Sequence, residues 1–278
     1  MRVDFLIDVF DFIRRFKDSV FVIKLGGEVM LSKDILDSIA QDIVFLNTVG
    51  IKPIIVHGGG KEISNLMRKL GKEPKFVEGL RYTDDETMDI VKMVLIGKVN
   101  TEIVGKVNKF GGNAVGLSGK SSKLFIARKK LHEGKDLGLV GDIVKVNDAI
   151  IRTLLEKNYI PIISPIGFDE ESGKALNINA DSAASELAIS LNSEKLIILT
   201  STNGVLDANG NRISKLTIRE ARELIDKGIA KEGMIPKLLA CIKSLENGVK
   251  AAHVIPSREH SILEEIFTRE GIGTMITK

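Results

Sequence analysis

Cysteine occurs once in the 278 residues, at Cys241, and tryptophan not at all. A lone thiol closes no internal disulfide and builds no multi-thiolate metal site, so a reducing compartment is the expected setting. Neither sign of charge prevails: 40 Lys and Arg stand against 37 Asp and Glu, a net charge of +3. The basic residues are interspersed, which leaves no stripe for nucleic acid. No apolar run approaches the roughly 18 residues of a membrane span. The opening stretch, MRVDFLIDVFDFIRRFKDS, carries acids inside its apolar part and fits neither a secretory signal nor an anchor. A cytoplasmic protein with no nucleic-acid or membrane partner is expected. Disorder is excluded too, because 44% apolar and 28% charged residues describe a chain with material for a large core.

What is present is alternation. Phe5, Leu6, Val9, Phe10, Ile13 and Phe16 recur at helical spacing, which predicts an amphipathic helix over residues 2–16 whose apolar stripe needs a cover. Residues 19–25 (SVFVIKL) read as a strand buried on both faces, ended by Gly26-Gly27. A helix over 32–49, a strand over 53–56 ending in His57-Gly58-Gly59-Gly60, and a helix to about 70 repeat the pattern. Thr83 and Glu86 have capping-box spacing before a long helical stretch to about 110, with Gly97 and Gly105 as breaks. Short strands near 114–117, 124–127 and 138–146 suggest a strand and a hairpin insertion, and Asn147 is expected to cap a helix before a strand at 160–164. Residues 165–173 (PIGFDEESG) read as a loop and as the boundary between two lobes, 18–172 and 173–278, behind an amino-terminal helix at 1–17. Helices at 179–191, from Thr217 with its Glu220 capping box, and at 233–247 alternate with strands at 195–200 and 251–255, followed by a last helix and a strand at 273–277, and Asp207 to Arg212 forms a turn. The fold class is α/β: a three-layer αβα sandwich with an open, largely parallel central sheet in two lobes.

Ligands of open parallel sheets bind beyond the carboxyl ends of the strands. Gly26-Gly27 and Gly58-Gly59-Gly60 both follow strands there, and each is either a tight turn or a set of bare amides turned toward an anion. Lys24, set inside an apolar run, needs an anion or a route to water. Three other patterns carry less. Ala114 to Ser121 matches a relaxed P-loop, but a strand follows where a P-loop needs a helix. Ile63 stands where a dinucleotide fingerprint starting at Gly58 needs glycine, and the HGGG run has no nucleophile elbow to serve as an esterase. Asn179 is a candidate helix cap with Asp181 in the first turn. Lys237 follows Pro236 at another helix start, and Arg81 is placed to clamp a carboxylate. His132, His253 and His260 have no metal-ligand spacing, and no metal site is expected from side chains alone.

Taken in order, VIKLGG at 22–27, VHGGG at 56–60, GLRYT at 79–83, GLSGK at 116–120, NINAD at 177–181, GMIPK at 233–237 and EIFTREGIGTMI at 265–276 resemble the amino acid kinase family over nearly the whole chain. The resemblance implies ATP, with Mg²⁺, phosphorylating the side-chain carboxylate of N-acetyl-L-glutamate in arginine biosynthesis. It implies Lys24 and Lys237 flanking the transferring group, Asp181 holding both amines, and amides of Gly27, Gly59 and Gly60, with Gly58 in the same phosphate-binding run. Arg81 and Asn177 would grip the acid substrate, with Gly59 and Gly60 beside it. The amino-terminal lobe would hold the acid and the carboxyl-terminal lobe ATP. Ser201-Thr202-Asn203 departs from the family, which usually has an Asp after that strand, and Pro256-Ser257 stands where Asp-Gly is common. The amino-terminal helix, with Phe12 where Tyr is usual, fits members that form a hexamer as a trimer of dimers. Inhibition by L-arginine near that helix, His253 and Glu265 is expected on the same ground. A carrier-linked acyl-acid kinase and a non-catalytic arginine-responsive regulator stay open as alternatives.

Overall fold

A computed structural model describes residues 3–27, 29–77, 79–132, 135–231, 233–268 and 270–278. Arg2, at the start of the expected first helix, and Arg269, inside the EIFTREGIGTMI stretch, lie outside them. In chain order, helix α1 (Val3–Phe16) precedes β1 (Val20–Leu25), α2 (Lys33–Thr48), β2 (Lys52–His57) and α3 (Gly60–Lys69). A small hairpin, β3 (Phe76–Val77) and β4 (Leu80–Arg81), leads to α4 (Asp85–Lys92), a π-helical segment (Met93–Asn100) and α5 (Thr101–Lys109). Next come β5 (Ala114–Ser118), β6 (Phe125–His132), β7 (Lys135–Val146), α6 (Ala149–Glu156), β8 (Ile160–Ser164), β9 (Ile166–Phe168) and β10 (Ala175–Asn177). The chain closes with α7 (Ala180–Ser190), β11 (Lys195–Thr200), β12 (Lys215–Thr217), α8 (Ile218–Asp226), α9 (Ile235–Glu246), β13 (Ala251–Pro256), α10 (Ser261–Phe267) and β14 (Thr274–Thr277).

Eight strands form one sheet in the order β12-β14-β13-β11-β1-β2-β8-β5. Every neighbouring pair is parallel except β13 with β14. Strands β10, β7, β6 and β9 close into a small barrel beside it. The apolar runs in the central strands are continuous because helices cover both faces of the sheet. Alternate residues of one strand face opposite layers. Phe21, Ile23 and Leu25 of β1 join the core with Ile39 and Ile43 of α2 and Ile262 of α10. Val22 joins the opposite core with Ala183 and Leu187 of α7 and Leu238 and Leu245 of α9. Lys24 therefore belongs to the face that α7 and α9 cover.

Local chemistry sets the element ends. Ser32 caps α2, Thr217 and Glu220 form the expected capping box on α8, and Asn179 Oδ1 accepts from the amides of Asp181 and Ser182 at 2.9 and 3.0 Å. Two expected caps differ. Asp84, not Thr83, caps α4, accepting from Thr87 N at 2.8 Å; the Thr83 hydroxyl instead donates to the Arg81 carbonyl at 2.9 Å. Asp148, not Asn147, occupies the cap position of α6, and Asn147 Nδ2 donates to the Ser122 carbonyl at 3.0 Å. The expected loop at 165–173 contains β9, paired antiparallel with β10. Gly167 reads as a breaker but lies in that strand, where a Cβ would come within 2.7 Å of Ala127 Cβ. The long helix before residue 110 changes winding around Gly97, passing through the π-helical segment.

Helix α1 docks through Phe16, whose ring meets Phe21 edge-on at 5.5 Å, while Phe12 meets Phe267 at 6.2 Å. Phe10 and Ile7 stay 60% and 56% exposed, so among the described residues part of the stripe has no cover. Among the described residues no helix is long and apolar enough to cross a membrane. Gly138 ties the β6–β7 hairpin to the start of α4, where Leu139 N donates to the Thr83 carbonyl at 2.6 Å and Thr83 N to the Leu137 carbonyl at 3.0 Å. Its φ of +74° is left-handed, and a Cβ there would overlap the Thr83 carbonyl oxygen. Gly138→Ala should therefore lower the unfolding free energy by about 2 kcal/mol or more, read as a lower urea midpoint at unchanged m. An unchanged midpoint would show that this junction tolerates the side chain.

Candidate active site

The carboxyl end of β1 delivers Lys24, the first turn of α7 delivers Asp181 and the first turn of α9 delivers Lys237. All three meet. Lys24 Nζ lies 2.8 Å from Asp181 Oδ1, and Lys237 Nζ lies 3.4 Å from Asp181 Oδ2 and 3.1 Å from the Gly233 carbonyl. Asp181 is 5% exposed and Lys24 6%, while Lys237 opens further toward solvent. The convergence follows from the sheet, since α7 and α9 pack side by side on the face toward which Lys24 points. Burial alone would push the Asp181 carboxyl up, but the charges of Lys24 and Lys237, with the hydrogen bonds from both, hold it below the usual carboxylate range. Two ammonium groups sharing one carboxylate leave this trio with a net positive charge.

Opposite the lysines lie the glycine turns. The first amides of α3 have no intrahelical acceptor by construction, and its cap residue Gly59 makes no side-chain cap bond. A Cβ placed on Gly27 would stand 3.6 Å from the buried Glu62 Oε2, 3.9 Å from Gly60 N and 4.0 Å from Lys61 N, so a carboxylate of the protein itself borders the space that fronts those amides. The dipole of α3 favours negative charge at the same spot. A cleft of about 750 Å³ is lined by Lys24, Gly27, Gly60, Arg81, Thr202 and Lys237, among others. These features fit an anionic, phosphate-bearing ligand.

A smaller cavity of about 220 Å³ opens beside it, walled by Gly58, Gly59, Gly60, Arg81, Leu95 and Asn177 among others. Arg81 is buried and donates through Nη2 to the Gly60 carbonyl and the Ser64 hydroxyl, both at 2.8 Å, with its guanidinium 4.8 Å over the Phe76 ring. Burial, with Arg68 nearby, pulls its pKa down from the ordinary arginine value. Among the described residues no carboxylate pairs with it, and a buried guanidinium without one invites an external carboxylate. Asn177 Nδ2 donates to Thr83 Oγ1 at 3.2 Å, which links it to the Arg81 main chain.

The structure thus brings Lys24, Lys237, Asp181, Gly27, Gly58, Gly59, Gly60, Arg81 and Asn177 to two adjoining cavities. Phe12, His253 and Glu265 sit elsewhere, around a separate cleft of about 780 Å³ between α1 and the β13–α10 region. There His253 Nδ1 lies 2.7 Å from Glu265 Oε1 and its Nε2 lies 3.0 Å from Lys195 Nζ. Burial depresses the Lys195 pKa to about 8. Cys241, one turn past Lys237 on α9, is fully buried, and burial together with the charge of Asp181 pushes its thiol up.

Ser64, Lys61 and Lys231, all close to the cleft, carry no mark in the sequence, and Thr83 stands out there as a helix cap rather than as the acceptor for Asn177. Ser64 and Lys61 lie on the first turns of α3, directly after the glycine run. Lys231 lies in a polar turn with no pattern to mark it. His57 stands out in the sequence at the end of a strand and within the VHGGG stretch, but with no role of its own.

The model of the amino acid kinase family matches residues 19–256. With this site at the carboxyl ends of a parallel sheet, the chain belongs to that family. It is similar over its full length to the acetylglutamate kinase of Methanococcus aeolicus, at 49% identity across 100% of this chain and 98% of that one. The acetylglutamate kinase of Aquifex aeolicus is 50% identical across 96% of this chain and 94% of its own. Identity and coverage of that order make the chain a kinase enzyme. Among solved structures, N-acetylglutamate synthase from Neisseria gonorrhoeae, complexed with coenzyme A and N-acetyl-glutamate, superposes with a TM-score of 0.90 at 28% identity, over 100% of this chain and 64% of the synthase. A second structure of that synthase, with coenzyme A and L-arginine, gives 0.87 at 26% identity, over 100% of this chain and 66% of the synthase. Carbamate kinase from Giardia lamblia bound to AMP-PNP, at 0.68 and 18% identity over 94% of this chain and 98% of its own, shares the fold.

Removing the shared countercharge tests the electrostatics. Asp181→Asn leaves two ammonium groups facing a neutral amide and should cost about 3 kcal/mol of stability at pH 7. Because the folded carboxyl has a lowered pKa, its contribution is complete above the ordinary Asp value of about 3.9 and is lost as pH falls through the folded value. The difference in unfolding free energy between wild type and Asp181→Asn should stay flat from about pH 8 to 6 and shrink below about pH 4. A difference that widens toward acid would contradict the assigned ionisation.

Proposed function

We propose that this kinase transfers the γ-phosphoryl group of ATP to the side-chain carboxylate of N-acetyl-L-glutamate, giving N-acetyl-L-glutamyl 5-phosphate and ADP in arginine biosynthesis. The observation that carries the reading is the convergence of Lys24 and Lys237 on Asp181, across from the α3 amides, with Arg81 in the adjoining cavity. The names and coverage of the curated relatives support the substrate.

The chemistry asks for little beyond placement. A carboxyl with a pKa near about 4.3 is already ionised at neutral pH, so the attacking oxygen needs no general base. Two anions must still be brought into line, and charge must be carried on the attacking, transferring and leaving oxygens. Arg81 and Asn177 would hold the acid, with its side-chain carboxylate directed at the cleft. Lys24 would face the attacking side and Lys237 the leaving side, with Asp181 keeping both amines from swinging apart. Amides of Gly27, Gly59 and Gly60 would bear the phosphoryl oxygens. Mg²⁺, arriving on the nucleotide, would neutralise phosphate charge, as magnesium does when held mainly by substrate oxygens. The nucleotide would lie toward Thr200, Ser201, Thr202 and Lys231 in the 173–278 half, and the acid toward the 18–172 half. A single protected thiol suits work in the cytoplasm.

Regulation by L-arginine and assembly into a hexamer belong to the same reading. The cleft around Phe12, His253 and Glu265 offers a carboxylate and apolar rings to a guanidinium-bearing amino acid, and the uncovered stripe of α1 offers a surface to a second copy.

Trapping the acyl phosphate with hydroxylamine should give hydroxamate with N-acetyl-L-glutamate and ATP, and far less with free glutamate. Lys24→Ala and Lys237→Ala should each lower kcat by at least about a hundredfold, the usual loss for one charge stabiliser, while unfolding stays cooperative. Near-normal turnover in either variant would remove that lysine from the reaction. Arginine should inhibit wild type, and light scattering should give the mass of six chains; a dimer whose activity ignores arginine would refute both regulatory statements.

A further inference from the structure

His57 ends β2 and is 1% exposed, with its ring fixed from both edges. Nδ1 lies 2.9 Å from the Gly58 carbonyl oxygen, while Nε2 lies 3.1 Å from Asn100 Nδ2 and 3.1 Å from Ser164 Oγ. A carbonyl oxygen only accepts, so the ring proton belongs on Nδ1, and Nε2 is left to accept from the Asn100 amide. Burial holds the imidazole neutral, with its pKa down to about 4. The partners are fixed in turn: Asn100 Nδ2 also donates to the Ile162 carbonyl at 2.9 Å, and Ser164 Oγ donates to the Leu95 carbonyl at 3.1 Å. Asn100 and Leu95 both belong to the π-helical segment, where altered winding often marks functional sites.

The ring acts on one peptide plane. In a trans peptide the carbonyl and the N–H point opposite ways, so a Gly58 carbonyl held toward the ring turns the Gly59 N–H away from it. Gly59 lies in the wall shared with Arg81 and Asn177, on the anion side of the turn. Leu95 leaves no room for a side chain at the same turn: a Cβ on Gly59 would meet its Cδ2 at 2.6 Å.

We infer that His57 is a positioning residue for phosphoryl transfer: held as the Nδ1–H tautomer by Asn100, it locks the Gly58–Gly59 peptide so that the Gly59 amide faces the transferring group. This rests on the acid-kinase reading above. A preorganised amide is worth most where charge develops, so its misalignment lowers kcat more than it raises KM.

The test uses full-length enzyme. His57→Gln, whose amide reaches toward the Nε2 position, loses the donor to Gly58 and should drop kcat about a hundredfold, with KM for N-acetyl-L-glutamate within about threefold. His57→Asn, whose amide overlays Nδ1, should recover at least tenfold of that loss. In wild type, the ¹⁵N imidazole shifts should report a protonated Nδ1 and a bare Nε2 through pH 6 to 9, a readout that survives if a variant fails to fold. Equal rates for the Asn and Gln variants, a pure KM effect, or an Nε2–H tautomer would overturn the inference. Wild type inert toward N-acetyl-L-glutamate would instead overturn the acid-kinase reading, leaving the tautomer measurement to judge the lock itself.

Discussion

One buried carboxylate holds the site together. Without Asp181, the ammonium groups of Lys24 and Lys237 would face each other in a poorly solvated cleft, and repulsion would drive the more exposed Lys237 outward. With it, two cations from segments more than two hundred residues apart are held at 2.8 and 3.4 Å from one group. The trio by itself carries a net positive charge, which an incoming anion would satisfy. Desolvation opposes this arrangement, and the paired charges prevail over it, so the carboxylate stays ionised where an isolated buried acid would not.

That constraint depends on strand parity. Residues 22 and 24 share one face of β1, and the helices over that face are α7 and α9, each of which carries a residue of the trio in its first turn. Shifting β1 by one residue would turn Lys24 into the α2 layer and strand Asp181. The other face does different work. His57, Ser164 and Asn100 meet there beneath the glycine turn. The two sides of a single sheet thereby place the movable cations and the fixed amides opposite each other.

Much of this was legible in the residues. Continuous apolar strands, turn glycines and the Thr217 capping box gave the alternation and the layers, because each is a local preference that the tertiary fold obeys. Lys24 inside SVFVIKL called for either an anion or a route to water, and it is buried against Asp181. What stayed hidden was set by contacts distant in sequence. Thr83 has capping-box spacing to Glu86, but its hydroxyl is taken by the Arg81 carbonyl and its main chain by Leu137 and Leu139, so Asp84 caps α4 instead. Gly167 looks like a loop residue because its reason for being small, the close approach of Ala127, lies forty residues away. Ser64 and Asn100 carry no motif, and their roles exist only once Arg81 and His57 have arrived beside them.

Cys241 sits on α9 one turn beyond Lys237, sealed against the sheet and raised in pKa. A thiol in that state reacts with alkylating agents only when its helix lifts away from the strands. Since the same helix carries a cation of the cleft, anything that bridges the cleft also holds the helix down. The chain thus contains a built-in stopwatch for the opening of its own carboxyl-terminal layer, with no competing thiol to blur the reading.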